Sequence, residues 1–139
     1  MQLKMAGYSK NPLWKKLGIK EKYNCSLFKS PKNYFELLEE TPLETTWDDD
    51  LSNPPYDFIH VFTKEFEELE ENWKEWKSTL KKDGTLWVSW PKGVSKIQTN
   101  LNGNIVREFG LNGGLVDVKV CAVDNDWSGL KFMFRKKDR

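Results

Sequence analysis

The sequence predicts an α/β domain whose sheet is mostly parallel and ends in an antiparallel hairpin. Residues 57–62 are almost entirely apolar, an amphipathic segment follows them, and residues 86–90 are apolar again. Two apolar runs flanking a helical segment are typical of a βαβ unit, in which the strands are parallel. Residues 116–123 and 130–135 also have strand-like patterns, and the connection between them is too short for a parallel crossover. These two observations define the predicted fold class.

The N-terminal third begins with a short helix and a first βα unit. Asn11 suits the helix N-cap, Pro12 the first helical position, and Gly18 the left-handed residue beyond the end. Residues 23–28 are predicted to form the first strand. The next helix carries Tyr34, Phe35, Leu37 and Leu38.

The central part contains a weak second strand and the best determined helix. Residues 43–47 are a candidate strand that runs into three aspartates and a segment rich in proline. Thr63 can cap the long helix, which Asp83 and Gly84 are predicted to end. Its apolar stripe, expected to face the sheet, consists of Phe66, Leu69, Trp73, Trp76 and Leu80. Glutamates 65, 67, 68, 70 and 71 precede lysines 74, 77, 81 and 82, a charge order that suits the helix dipole and predicts a solvated face.

The C-terminal part adds one more helix before the hairpin. Residues 91–100 form a polar connection. The following helix is predicted to place Leu101, Ile105, Val106 and Phe109 on one side, and to end through Gly110, Gly113 and Gly114.

Length and composition indicate one domain without a charge-driven partner. A chain of 139 residues with 22 basic and 21 acidic side chains is the size of one core and carries a net charge of +1. This balance disfavours binding to nucleic acid or an anionic membrane, although residues 15–22 and 135–139 are locally basic. Residues 1–8 contain no apolar signal region, and no apolar run approaches the ~20 residues of a membrane span. A soluble cytoplasmic protein is therefore expected.

Cysteine and tryptophan usage gives two further expectations. Cys25 and Cys121 each lie in a predicted strand without a neighbouring cysteine or histidine, so both are expected to be buried, reduced thiols. One histidine and two separated cysteines do not supply the usual ligands of zinc, and no metal is expected. Seven tryptophans exceed what packing requires, so some are expected to line a site or an interface.

The order of these elements resembles that of class I methyltransferase-like domains, and residues 56–90 resemble the second half of such a domain. The chain more closely resembles a family of small uncharacterised proteins, a domain of unknown function of about this length, from Gly7 nearly to its end. The residues that carry this second resemblance are Gly7-Tyr8-Ser9, Pro12-Leu13, Lys15 to Lys20, Pro31, Leu86-Trp87-Val88, Trp90-Pro91-Lys92, Val106-Arg107-Glu108, Gly114 to Asp117, Lys119 to Asp124 and Trp127 to Leu130. The resemblance implies a three-layer Rossmann-like fold, but it implies no particular activity.

The loop after the first strand bears on the cofactor that such a fold would hold. Methyltransferases of this class hold S-adenosylmethionine on a glycine-rich loop at this point. Residues 28–33 contain no glycine, and Pro31 lacks a backbone N–H. The sequence therefore predicts no cofactor. The alternative is a transferase that uses S-adenosylmethionine or a nucleotide in an unusual pose, with Asp48 on the ribose and His60 or Lys92 assisting.

Candidate site residues follow from the carboxyl edge of the predicted parallel sheet, where such sheets bind ligands. Thr63 and Lys64 follow one strand, and Pro91 and Lys92 follow the next. The candidate ligand-binding residues are Ser30, Asn33, Tyr34, Asp48, His60, Trp90, Lys92 and Trp127.

Simpler structural roles compete with ligand binding at seven of these positions. Helix capping and core packing explain Asn33 and Tyr34 equally well, and Trp127 is either a contact residue of the hairpin loop or one packed aromatic in a turn. His60 is predicted to be a hydrogen-bonded core residue rather than a general base, and Asp48 a solvated loop charge. Trp90 either stacks on a ligand or packs over the sheet, and Lys92 either meets an anion or is solvated.

For function, the sequence favours a degenerate, non-catalytic methyltransferase-like domain. It would bind a small ligand or a protein partner at the carboxyl edge of the sheet, as a monomer or a homodimer, and would bind neither nucleic acid nor membrane. The competing interpretations are the transferase described above and a protein-interaction domain whose exposed tryptophans make the contact.

Overall fold

A computed structural model of the chain describes residues 11–139, which form a single mixed sheet with helices on both faces. The expectations for residues 1–8 and the segment Gly7-Tyr8-Ser9 lie outside the described residues. The strands are β1 (Asn24–Phe28), β2 (Thr46–Asp48), β3 (Tyr56–Phe62), β4 (Leu80–Pro91), β5 (Leu115–Ala122) and β6 (Trp127–Phe134). The helices are α1 (Leu13–Leu17), α2 (Tyr34–Leu38), α3 (Phe66–Thr79) and α4 (Gly103–Asn112), followed by a short 3-10 turn at Lys136–Asp138.

The sheet order is β2-β1-β3-β4-β6-β5, with four neighbouring parallel strands and an antiparallel end. The strands β2, β1, β3 and β4 pair in parallel, whereas β6 runs antiparallel to both β4 and β5. The predicted fold class, a mostly parallel α/β sheet that finishes in an antiparallel hairpin, is therefore confirmed.

Alternation along β3 divides the core between the two faces of the sheet. Ile59 and Val61 pack with α3 and α4, while Phe58 and Phe62 pack with α1 and α2. Both cysteines are free and buried, as expected from the sequence.

The strand register brings four strand ends to one edge of the sheet. Phe28 lies beside Val61, Phe62 beside Ser89, and Pro91 beside Trp127. The carboxyl ends of β1, β3 and β4 therefore meet the start of β6, where an open parallel sheet forms a ligand crevice.

Two predicted helix starts are wrong by one or two residues. Pro12 rather than Asn11 is the N-cap of α1, because the Pro12 carbonyl accepts the amides of Lys15 and Lys16. Glu65 rather than Thr63 precedes α3, since the Thr63 amide still donates to the Ser89 carbonyl at 3.0 Å and continues the sheet ladder. Gly18 adopts the left-handed conformation predicted for it, with φ of 81°.

Three other boundaries differ because tertiary contacts override local signals. The helix α3 ends at Thr79, before Asp83 and Gly84, because Leu80 already pairs with Tyr56 as β4 begins. Gly110 lies inside α4, where a Cβ would approach Phe132 Cε1 to 2.1 Å. Glycine is thus required there for close packing rather than for ending the helix. The second strand spans Thr46–Asp48 instead of residues 43–47.

No helix within residues 11–139 combines the length and apolar character needed to cross a membrane.

Candidate functional site

A cavity of about 480 Å³ opens at the carboxyl edge of the sheet, between the ends of β1 and β3 and the start of β6. Its volume falls in the range typical of small-molecule sites, roughly 300–1,000 Å³. Phe62, Ile97 and Trp127 form an apolar wall. The polar lining consists of Lys29, Thr63, Lys64, Glu65 and Glu68. The cavity therefore presents one apolar and one charged side.

The charged side is organised around Glu68, which lies in the first turn of α3. Its carboxylate forms an ion pair with the Lys29 ammonium and accepts a hydrogen bond from the Thr63 hydroxyl. The Thr63 oxygen in turn accepts the Glu65 amide at 3.2 Å. Burial alone would raise the pKa of Glu68, but the bonds from Lys29 and Thr63 and the nearby lysine charges together lower it. We refer to Lys29, Thr63 and Glu68 as the edge cluster.

Lys29 reaches this carboxylate from the residue directly after β1. Its φ is 51°, a left-handed conformation that is uncommon for residues other than glycine. The ammonium lies 5.5 Å from the centroid of the Phe28 ring, and that ring packs edge-on against Trp76. A lysine cation is thus held between a carboxylate and an aromatic face.

The apolar wall is fixed by the hairpin and by the connection between β4 and α4. The Trp127 ring packs edge-to-face on Phe62 at 5.2 Å, and its amide donates to Asp124 Oδ1 at 2.8 Å. The connection that carries Ile97 is tied down by Ser95, whose hydroxyl bonds to Asp126 Oδ1 at 2.9 Å.

A second, smaller cavity of about 150 Å³ lies beside β1 on the α3 face of the sheet. Asp49 and Asp50, which follow β2, contribute exposed carboxylates, and Phe28 and Asn72 form part of its lining. Asn72 lies one helical turn beyond Glu68, and its side chain donates to the Glu68 carbonyl at 2.9 Å. The Lys29–Glu68 pair of the edge cluster therefore adjoins residues that line the smaller cavity.

Sequence reasoning points to this edge but does not name most of the residues that line its cavity. Of the eight candidates, Trp127 lines the 480 Å³ cavity. Glu68 was assigned to a solvated helix face, although only 18% of its side chain is exposed. The missed signal was the position of Glu68 along the helix. Glu68 and Asn72 directly precede the buried residues Leu69 and Trp73 of α3, so they lie beside its buried stripe.

Asp48 has neither of the roles considered for it, as a solvated loop charge or as a free ribose ligand. It lies in β2, and Oδ1 accepts the Ser26 hydroxyl at 2.5 Å and the Leu51 amide at 3.2 Å. Oδ2 accepts the Tyr56 hydroxyl at 2.5 Å. Both carboxylate oxygens therefore tie β2 to its neighbours, and the exposed carboxylates after β2 belong to Asp49 and to Asp50, whose Oδ1 accepts the Ser52 amide at 3.1 Å.

His60 and Tyr34 belong to the core rather than to the cavity lining. His60 Nδ1 lies 2.8 Å from the Tyr34 hydroxyl and Nε2 lies 2.7 Å from Ser89 Oγ. The imidazole also stacks on Phe62 at 4.3 Å. Burial lowers the pKa of His60 to about 3, which keeps the ring neutral. The structure agrees with the predicted hydrogen-bonded core histidine; we refer to Tyr34, His60 and Ser89 as the buried cluster.

The other four candidates lie near the edge but outside the cavity lining. Trp90 is buried in the core on the α4 side, against Gly103, in the packing role considered for it. The Lys92 amide donates to the Asp126 carbonyl at 2.8 Å, which places it beside the hairpin. Ser30 follows Lys29, and Asn33 precedes α2 without capping it through its side chain.

Another cavity lies at the opposite, amino edge of the sheet. It measures about 580 Å³ and is lined in part by Trp14, Ile19 and Leu43. Because parallel sheets bind ligands at their carboxyl edge, we assign the candidate site to the 480 Å³ cavity. Among residues 11–139, no group of three or more His, Cys, Asp or Glu side chains is arranged to hold a metal ion.

Comparison with known proteins gives no match to a protein-family model or to a curated protein. Solved structures do match. A TehB-like SAM-dependent methyltransferase from Corynebacterium glutamicum aligns with a TM-score of 0.61 at 12% identity, over 96% of this chain and 92% of that one. A SAM-dependent methyltransferase from Aquifex aeolicus gives 0.58 at 13% identity, over 97% and 94%. The magnesium protoporphyrin IX methyltransferase from Synechocystis, with bound SAH, gives 0.56 at 9% identity, over 88% and 78%.

At such low identities these similarities show the fold, which is that of class I methyltransferases. They also contradict the prediction that no cofactor is involved, since the matching structures are SAM-dependent methyltransferases and some contain SAH or SAM. That prediction failed because it treated the loop after β1 as the only possible support for a ligand. The cavity wall contributed by α3 and the hairpin was not visible in the sequence.

Proposed function

We propose that this domain binds S-adenosylmethionine, or a closely related adenosyl compound, at the carboxyl edge of its sheet. The observation that carries the proposal is the cavity of about 480 Å³ beside the ends of β1 and β3. It lies where open parallel sheets bind ligands, in a fold shared with SAM-dependent methyltransferases.

The residues around the cavity suit the separate parts of such a ligand. Asp49 and Asp50 offer carboxylates after β2 that would accept hydrogen bonds from ribose hydroxyls. Glu68 offers a carboxylate for a cationic group. Phe62 and Trp127 offer an apolar wall for uncharged parts of the ligand. When bound, S-adenosylmethionine would supply a methyl group activated by its sulfonium.

The loop after β1 gives this proposed site a different construction from a glycine-rich cradle. Lys29 takes the left-handed conformation that a glycine adopts without strain, and Pro31 has no N–H to offer. Side chains of α3 and the hairpin would therefore hold the ligand in place of loop amides.

Binding without methyl transfer is the role that the ionisable groups favour. A general base must reach the proton that it removes from the methyl acceptor. The single histidine is fully buried with a pKa near 3, and the Glu68 carboxylate, held by Lys29 and Thr63 in the free protein, would face the cationic group of the bound ligand. The domain would then act as a sensor or accessory module that recognises the ligand.

Isothermal titration calorimetry with S-adenosylmethionine tests the proposal. We expect saturable micromolar binding to the wild-type protein and about tenfold weaker binding to Trp127→Ala, which removes the wall of the cavity. Leu43→Ala, an exposed residue of the cavity at the amino edge, is the control and should bind like the wild type. Absence of binding at millimolar ligand, or equal loss in both variants, would contradict the proposal. Production of SAH from S-adenosylmethionine with a methyl acceptor would contradict the non-catalytic role.

A further inference from the structure

The groups around the Lys29 ammonium are those of a cation-binding subsite. The Glu68 carboxylate and the Phe28 ring, 5.5 Å away, both contact the ammonium. The Thr63 hydroxyl orients the carboxylate through its own hydrogen bond. A carboxylate opposite an aromatic face is an arrangement that attracts organic cations, including sulfonium and alkylammonium groups.

Lys29 itself is held at this position by few other contacts. Its side chain is 63% exposed, whereas only 18% of the Glu68 side chain is exposed. Its backbone has a φ of 51°, a conformation that costs a non-glycine residue free energy. An exposed side chain on a strained residue can leave its partner with little loss of packing, while Glu68 stays in place.

The same ion pair adjoins the smaller cavity. Phe28 and Asn72 line the smaller cavity, and their neighbours Lys29 and Glu68 line the 480 Å³ cavity. The smaller cavity of about 150 Å³ is below the size of ordinary ligand sites, so an elongated ligand would use it only together with the 480 Å³ cavity.

We infer that the Lys29 ammonium is an internal occupant of the subsite for the ligand's cationic group, and that the ligand binds by displacing it from Glu68. This inference rests on the proposed function and extends it: the ligand is cationic, Glu68 recognises its charge, and Lys29 weakens binding by competition. Removing a competing internal group raises the fraction of protein that can bind, and apparent affinity rises in proportion.

The test measures calorimetric affinities of the wild type, Lys29→Met and Lys32→Met. Lys32 is exposed in the same loop and lines neither cavity, so its replacement removes an equal charge without vacating the subsite. Lys29→Met should bind S-adenosylmethionine about tenfold more tightly than the wild type, whereas Lys32→Met should change affinity less than threefold. Neutral adenosine should bind both lysine variants alike. Glu68→Gln should weaken S-adenosylmethionine binding at least tenfold.

The outcomes separate this inference from the proposed function. If the wild type binds and Lys29→Met binds equally or more weakly, the displacement account is overturned while ligand binding stands. If only Lys29→Met binds, competition by Lys29 is supported, and the proposed binding by the wild-type protein is overturned. If neither protein binds, both are overturned. Titration with S-adenosylhomocysteine, which has the ammonium but no sulfonium, identifies the charged group that Glu68 binds. If Lys29→Met binds only S-adenosylmethionine more tightly than the wild type does, that group is the sulfonium. If Lys29→Met binds both ligands more tightly, the group is the ammonium.

Discussion

Two polar clusters lie close together around β3, but they differ in how far water reaches them. In the buried cluster every side chain is at most 1% exposed, and both imidazole nitrogens of His60 have partners. In the edge cluster, Lys29 is largely exposed and its carboxylate partner lines a cavity. A satisfied network in a dry core has no capacity left for a ligand, whereas an exposed ion pair can exchange one of its members.

The difference explains why His60, the more conspicuous residue in the sequence, is not placed to contact a ligand in the cavity. Burial lowers the pKa of the His60 ring and keeps the ring neutral. His60 is also absent from the lining of the cavity. Glu68 is inconspicuous among five nearby glutamates, yet it alone of them forms an ion pair with a residue from the end of β1.

The largest effect should come from removing the centre of the buried cluster. His60→Ala deletes a ring stacked on Phe62 and leaves the Tyr34 and Ser89 hydroxyls without their partner. We expect a loss of about 3–5 kcal/mol in the free energy of unfolding, measured by urea denaturation. Lys29→Met should change it by less than about 1 kcal/mol. Similar losses of unfolding free energy in His60→Ala and Lys29→Met would contradict the difference in stability between the buried cluster and the edge cluster.

The pH dependence of stability should follow His60. Its pKa is 6.5 when unfolded and about 3 when folded, so below pH 6.5 the unfolded chain takes up a proton that the folded protein does not. Its contribution is fully present above pH 6.5 and is lost as the pH falls towards 3, by up to about 4 kcal/mol. His60→Phe should show a correspondingly flatter profile in chemical denaturation. Parallel profiles for wild type and variant would contradict a neutral, buried imidazole.

A smaller effect is expected when one hydrogen bond of the buried cluster is removed. Tyr34→Phe keeps the ring, which is 1% exposed, but deletes the hydroxyl 2.8 Å from His60 Nδ1. An unsatisfied buried nitrogen should cost about 1–3 kcal/mol in unfolding free energy. Phe35, its exposed neighbour on α2, provides the control, because Phe35→Leu should be nearly neutral. A Tyr34→Phe protein as stable as the wild type would show that the network contributes little.

The smallest effect on stability should come from the edge cluster. Glu68→Gln keeps the shape of the side chain and breaks an ion pair whose lysine is 63% exposed, so unfolding free energy should fall by less than about 1 kcal/mol. Urea denaturation of the wild type and the variant measures this difference. A loss as large as that of His60→Ala would mean that Glu68 is a structural residue rather than part of a ligand site.

Local signals in the sequence predicted much of the fold. The apolar run of β3, the left-handed Gly18 and the short connection of the hairpin each specify structure without distant partners. Long-range contacts determined what was missed. Gly110 stays helical because Phe132 packs on it, and Asp48 is occupied because Ser26 and Tyr56 reach it from other strands.

The candidate site was less predictable than the fold for the same reason. Topology indicated the carboxyl edge through Thr63 and Lys64, and both residues line the 480 Å³ cavity there. The pairing of Lys29 with Glu68 joins residues 39 positions apart and has no local signature. The absence of glycine after β1 was visible, but it did not justify excluding a cofactor, because the cavity is built largely from other elements.

The most direct test of ligand binding at the carboxyl edge is amide chemical-shift mapping of isotope-labelled protein titrated with S-adenosylmethionine. We predict saturable shifts centred on the amides of Lys29, Thr63 and Glu68 and on the Trp127 indole. Shifts centred instead on Trp14 and Leu43 at the amino edge, or no shifts at millimolar ligand, would contradict the account.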